Sequence, residues 1–491
     1  LDSGGSTSHE LVVTGNTTLG AGAGAGGADE ATLTCNASTV SLGSTYSSDY
    51  GLYVKRGGTF VGGTGAHTMG SISMEDYATA KLTLTTHASG TTLDAGDYGS
   101  DYIVAVGADS TITSTNSLLV LATSKTEATY NLNLHDHFNN LTVNSSGKKF
   151  YIQQATTLAG NLTITAGDID TTGSNHAVTV TGEFSNAGTF TSNSSTVTVR
   201  NLVITGGTFN SPDGSGMLNI TGEGNSGYGD GYAFRRVAGA FVDNTGTITF
   251  KTPTTTQIRM GTPNQDFYNV IIDESSAGGL FYVNDEGFTV TNDLTLTDGD
   301  FDTGLGTTAP LIDIQGDLTI GNNNTFGGIT ATQTGDISIG SVDIGASGAT
   351  FKATSGTTTI TGEKSDYAWT NARGDNGFVH NNGKVVIETA GDTQIKENKF
   401  YDFELNLNSA TTELSWRDIS GNAMAIYGDL TITRGRLQSV TSGDSIDVYG
   451  NTYIAVTHGT LWHDADQDTN KITHHGLVTN HGTFKINDGT T

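Results

Sequence analysis

The chain has 491 residues, 67 Gly, 4 Pro and a formal charge of −28 from 50 acidic against 22 basic side chains. That excess of carboxylates excludes nucleic-acid binding by phosphate neutralisation. No apolar run is long enough for a membrane-spanning helix, and a single cysteine, Cys35, excludes an intrachain disulfide. Few strong helix formers stand in sequence, so the chain is predicted to be all-β.

Residues 1–31 contain the low-complexity run from Gly20 to Gly26, which has little to bury and reads as a loop or attachment lead-in. Residues 32–137 read as variant β-solenoid rungs. Stretches such as Ala80-Lys81-Leu82-Thr83-Leu84-Thr85 alternate with a period of two and show no helical spacing. The chain lacks an initiating Met, and its end resembles Ser355-Gly356-Thr357-Thr358 without the strand that follows there. Both ends therefore read as cut from something longer.

From residue 138 a long repeat takes over. Phe138-Asn139-Asn140-Leu141-Thr142-Val143 returns as Phe267-Tyr268-Asn269-Val270-Ile271-Ile272 and as Phe400-Tyr401-Asp402-Phe403-Glu404-Leu405, at intervals of 129 and 133 residues. Each copy leads into a threonine-alternating strand: Asn161-Leu162-Thr163-Ile164-Thr165, Asp293-Leu294-Thr295-Leu296-Thr297 and Asp429-Leu430-Thr431-Ile432-Thr433. Leu162, Ile164, Leu294, Leu296, Leu430 and Ile432 are expected to point inward and the threonines outward. The intervals define superrepeats over 138–266, 267–399 and, incomplete, 400–491, each of several rungs of roughly 22 residues. Glycine-led corners recur at Phe60, Phe190, Phe209, Phe351 and Phe484, and an acidic or glycine lead into tyrosine recurs at Tyr50, Tyr102, Tyr232 and Tyr367. Such recurrence marks structural corners, with the aromatic expected inside the coil, and makes Trp369 scaffold. Together these features predict an elongated, right-handed parallel β-helix, a β-solenoid built from imperfect superrepeats.

The succession Phe-x-Asn-Leu-Thr-Val, Gly-Asn-Leu-Thr-Ile-Thr-x-Gly, Asn-x-Gly-Thr-Phe and Thr-Val-Thr-Val resembles the β-helical repeat of large marine bacterial surface proteins and of structural or tail-fibre-like marine phage proteins. The resemblance covers about 138–491 and is specific for architecture. It implies an extracellular or virion-surface location.

Two groups of residues could ligate a metal. Asp464, Asp466 and Asp468 place oxygens at alternate positions, as a calcium loop does, but the glycine and closing glutamate of such a loop are missing, so a solvated turn is the simpler reading. The late histidines, His458, His463, His474, His475 and His481, lack a metal-protease or Cys-His spacing and read as surface residues. His135 and His137 form a His-x-His pair. By resemblance to trimeric phage fibres, a homotrimer could collect six such imidazoles around one metal on its three-fold axis. The acids at Asp168, Asp170, Asp300 and Asp302 are exchanged for Arg436 and Gln438 in the third copy, and are expected to face water.

No nucleophile motif or phosphate loop occurs, and carboxylates are too numerous to nominate a glycosidase pair. The sequence thus points to a non-enzymatic structural or adhesive fibre with no cofactor. Its expected partners are other structural subunits of the same particle or surface layer, and cell-surface glycan. The alternatives are a glycan-degrading tailspike-type enzyme on the same scaffold and a bacterial surface adhesin.

Overall fold

The computed structural model describes residues 9–21, 30–43, 51–94, 102–125, 127–225, 231–253, 255–261, 266–274, 279–283, 287–303, 311–328, 333–397, 399–417, 423–439, 445–456, 458–463 and 471–486. Among them the chain is a right-handed parallel β-helix, and its one helical element is a 3-10 turn at Gly374–Asn376. Strands pair in parallel with the strand one rung away. The register partners Leu141, Leu162, Phe184, Leu202 and Phe234 lie 21, 22, 18 and 32 residues apart. Rung length therefore varies around the expected figure, because extra residues can be placed in corners without disturbing the ladders. Two compact units are formed, residues 1–247 and 248–491.

Rungs begin earlier than the sequence suggests. Glu10–Val13 pairs in parallel with Thr39–Leu42, and Thr17–Leu19 with Leu52–Val54. The segment read as a lead-in thus contributes strands, since the alternation of Leu11 and Val13 needs only a neighbouring rung to become a ladder. Most of the Gly20–Gly26 run lies outside the described residues.

In both units alternation decides which side chains enter the core. Leu162 and Ile164 in the first unit, and Leu294, Leu296, Leu430 and Ile432 in the second, are all buried, while Thr163, Thr165, Thr295, Thr297, Thr431 and Thr433 are exposed or half-buried. The glycine-led corners at Phe60, Phe190, Phe209 and Phe351 place the ring inside, whereas Phe484 is exposed, and buried phenylalanines stack from rung to rung. In the first unit Phe190 and Phe209 lie 5.2 Å apart, and Phe209 and Phe241 5.9 Å. In the second, Phe301, Phe326, Phe351 and Trp369 follow at 5.3, 5.4 and 5.4 Å. These separations suit aromatic contact and add to the apolar area removed from water.

Trp369 is fully buried, as a scaffold residue should be. The tyrosines that lead into such strands are not inside. Tyr232 and Tyr367 are half-buried, with Arg235 and Lys396 lying 4.9 and 4.5 Å over their rings. The interior position belongs to Phe234 and Trp369 two residues later, and a phenol that stays at the surface keeps its hydroxyl in water. Tyr50 lies outside the described residues.

The Asn or Asp that opens each threonine strand has a specific task. Asn140 Oδ1 accepts the Asn161 N–H at 2.8 Å, and Asn161 Oδ1 accepts the Glu183 N–H at 2.9 Å. In the second unit Asp293 Oδ1 accepts the Asp317 N–H at 2.9 Å. There too Asp402 accepts from Asp429, Asp429 from Asn451 and Asn451 from Leu477, at 2.8, 2.6 and 3.1 Å. Each side-chain oxygen satisfies a corner N–H in the next rung. Asn and Asp both supply that oxygen, so the repeat exchanges them freely.

Candidate functional site

His135 and His137 sit on a turn, not a strand. His135 adopts a left-handed φ of 51°, its carbonyl accepts the Thr157 N–H at 2.8 Å, and the His137 carbonyl accepts the Ser114 hydroxyl at 2.7 Å. Their ring centroids are 6.0 Å apart, and His137 Nδ1 is 3.7 Å from the exposed Asp136 carboxylate. Two imidazoles and one carboxylate thus share a turn of the first unit. Asp464, Asp466 and Asp468 fall outside the described residues, among which no group of three or more His, Cys, Asp or Glu is arranged to hold a metal ion.

Of the four acids expected to face water, Asp302 does not, and Asp168, Asp170 and Asp300 are half-buried. Asp302 is fully buried and accepts a 3.4 Å hydrogen bond from Gln333 Nε2. Asp300 is half-buried, accepts the Thr325 N–H at 2.6 Å, and has its pKa pushed up by burial. Their strand, Asp300–Asp302, turns the carboxyl group of Asp302 toward the core, where a carboxamide can meet it.

A row of surface rings lies in the second unit and was not singled out from the sequence. Tyr401, Tyr427, Tyr449 and His475 each follow a strand end, respectively Phe400, Ile426, Val448 and His474, and those ends are register partners from rung to rung. The four positions therefore form one row along the surface. Tyr427 and Tyr449 stack at 5.7 Å with an interplanar angle of 12°, and Tyr449 and His475 at 4.7 Å and 2°. His380 joins the row at 5.7 Å from Tyr401 and 5.6 Å from Tyr427. Tyr427 and Tyr449 remain 44% and 48% exposed, so nearly half of each is offered to a partner.

Beside this row runs a groove of about 550 Å³ lined by Asp375, Val379, His380, Asn382, Lys399 and Tyr427. Its wall is a rigid turn: Asn381 and Asn382 have φ of 46° and 60°, Asn381 Nδ2 donates to the Ala353 carbonyl at 2.7 Å, and the Gly383 N–H to the His380 carbonyl at 2.8 Å. His380 Nδ1 accepts the Asn382 N–H at 3.1 Å. That bond assigns the ring proton to Nε2, and burial together with the Lys399 charge lowers the pKa of His380 and keeps it neutral. Lys399 Nζ lies 3.5 Å from Asp375 Oδ2. The groove can offer ring surface, carboxamide groups, an imidazole donor and a charge pair that cancels itself.

The internal repeat provides a comparison that sequence inspection could have used. In all three copies the N–H of the residue after this strand bonds the carbonyl of the leading phenylalanine: Ala159 to Phe138, Thr291 to Phe267 and Tyr427 to Phe400. The backbone corner is the same, and only the third copy carries a ring. One rung on, the positions are Thr181, Gln315 and Tyr449. The scaffold does not need these aromatics.

No protein family, curated protein or solved structure matches this chain.

Proposed function

We propose that the chain is an extracellular structural or adhesive fibre, a tail- or capsid-fibre component of a phage virion, and not an enzyme. The observation that supports this most is the use made of its polar residues: Asn140, Asn161, Asp293, Asp402 and Asp429 spend their side chains tying one rung to the next. Side chains and backbone alike then serve a stack held by repeated local contacts. Its partners would be other structural subunits of the particle and cell-surface glycan, with no nucleic acid, and a homotrimer is the assembly that would bring three His135–His137 pairs together. Gold-labelled antibody against the chain should decorate intact particles along a fibre. Label confined to the host cell surface would favour the bacterial adhesin instead.

The tailspike-type enzyme would need an accessible carboxyl kept protonated beside an ionised one. Glu274 has the chemistry, since burial, with smaller contributions from the Asp300 and Asp298 charges and against the Thr252 hydrogen bond, pushes its pKa up to about 8. It is, however, fully buried and packed against Gly279 and Gly299, so a substrate has no route to it. Incubation with host polysaccharide should release no reducing ends; sustained release would replace the fibre reading by the enzymatic one.

A further inference from the structure

We infer that the groove at Tyr427, with the ring row of His380, Tyr401, Tyr449 and His475, is a subsite for a neutral, polyhydroxylated glycan chain. The inference rests on the adhesive reading and deepens it by naming a site and a ligand class.

Tyr427 and Tyr449 are additions to a scaffold that folds the same corner with Ala159 or Thr291, and the next rung with Thr181 or Gln315, so core packing does not explain them. They stack on one another, which covers much of their faces and leaves edges and phenol groups outward. Among the described residues neither Tyr427 nor Tyr449 commits its hydroxyl to a hydrogen bond within the protein. A half-exposed, amphipathic row of this kind suits a ligand that carries C–H surface and hydroxyls together, and does not suit a purely apolar partner.

Charge narrows the class. Lys399 and Asp375 neutralise each other at the groove, so nothing there selects an ion, and a chain of net charge −28 repels polyanions at long range. Asn382, the Nε2–H of His380 and the ion pair supply donors and acceptors in one place. His380 and Asn382 stand on a turn held by its own hydrogen bonds, which lowers the cost of ordering them on binding. Periodicity in the ligand would match periodicity in the row: rings recur once per rung, and weak contacts at each would sum along one polymer.

The test is retardation of the 491-residue chain in native gels cast with soluble β-1,3-glucan, β-1,4-mannan or dextran, with alginate as the acidic control. At least one neutral polymer should retard the chain more than alginate does. The double variant Tyr427→Ala, Tyr449→Thr takes the residues of the first copy and should melt within a degree or two of the parent. It should bind the retarding polymer about tenfold more weakly or worse. Absence of retardation by every neutral polymer, stronger retardation by alginate, or undiminished binding by a folded double variant would each overturn the proposal. Antibody labelling reports separately on the fibre reading: labelled particles without retardation would sink the groove alone, and retardation without surface label would sink the location alone.

Discussion

The two units are built alike and yet the titratable groups they bury differ in kind, with an imidazole among those of the first and the carboxyl groups of Glu274, Asp302 and Glu397 in the second. In the first, His67 occupies a row that reads Val40, His67, Thr91, Leu119 through successive rungs, and it is 2% exposed. Neither ring nitrogen makes a hydrogen bond of good geometry, and burial lowers its pKa to about 4, with the Gly62 backbone opposing part of the shift and His87 adding to it. In the second, Glu274 holds the corner that is Ser145 in the first copy and Leu407 in the third, all three buried. Its Oε1 accepts the Thr252 hydroxyl at 3.3 Å, and its Oε2 has no partner. The stacked backbone decides whether a position is interior, and whatever side chain stands there has to bear the desolvation.

The largest effect should come from adding a charge where neither unit has one. Ile164→Asp in the first unit and Leu296→Asp in the second each place an unpaired carboxylate in a column that is fully buried. A loss of ~4 kcal/mol or more is expected, with early thermal unfolding of the unit concerned. Thr165→Asp and Thr297→Asp, one residue along on the exposed side, should shift stability by no more than about 0.5 kcal/mol. Equal tolerance of both kinds of substitution would show the register to be wrong.

Next come two substitutions that sharpen the contrast between the units by pH. Glu274 holds its proton more tightly folded than unfolded, so it costs stability once pH passes its ordinary 4.5, and the cost grows until about pH 8. Glu274→Leu, the residue type of the third copy, should remove that decline and gain a few kcal/mol at pH 8 while changing little at pH 4.5. His67 works in the other direction. Its folded pKa of about 4 lies below the ordinary 6.5, so the neutral ring is stable above pH 6.5 and stability is lost as pH falls from 6.5 toward 4. His67→Leu should flatten this acid limb, by ~2 kcal/mol at pH 4.5 after allowance for relaxation. Melting curves at pH 4.5, 6.5 and 8 would read both; parallel pH profiles for parent and variants would mean that the two groups find partners.

What could be read from the sequence was whatever repeats at short range. Leu162 and Ile164, or Leu430 and Ile432, announce their burial through the threonines between them, and the glycine-led corners announce Phe190 and Phe351. The task of Asn161 or Asp429 was invisible because its partner stands one rung away, near Glu183 or Asn451, with nothing in between to suggest the bond. Asp302 misleads for a related reason: a carboxylate normally marks the wet side, and only the neighbouring rungs show that its corner, like that of Glu274, closes inward. The ring row needed a different comparison, the mismatch of Ala159, Thr291 and Tyr427 at one shared backbone corner.

The smallest expected effect concerns metal, and it separates the units again. The stack in each is held by apolar columns and rung-to-rung hydrogen bonds, while His135, Asp136 and His137 contribute a single turn of the first unit. His137 Nε2 is buried without a hydrogen-bond partner, so an ion held there would gain a ligand but would tie down one turn of one rung. A strong chelator should leave the melting temperature of both units unchanged, and His135→Ala should cost less than about 1 kcal/mol, because its turn is fixed by the Thr157 N–H bond to the backbone. Metal analysis of the purified chain decides the point. One tightly held ion per three chains, with a large drop in melting on chelation, would make His135 and His137 a structural centre on a three-fold axis; one ion per chain, insensitive to His135→Ala, would direct attention to Asp464, Asp466 and Asp468.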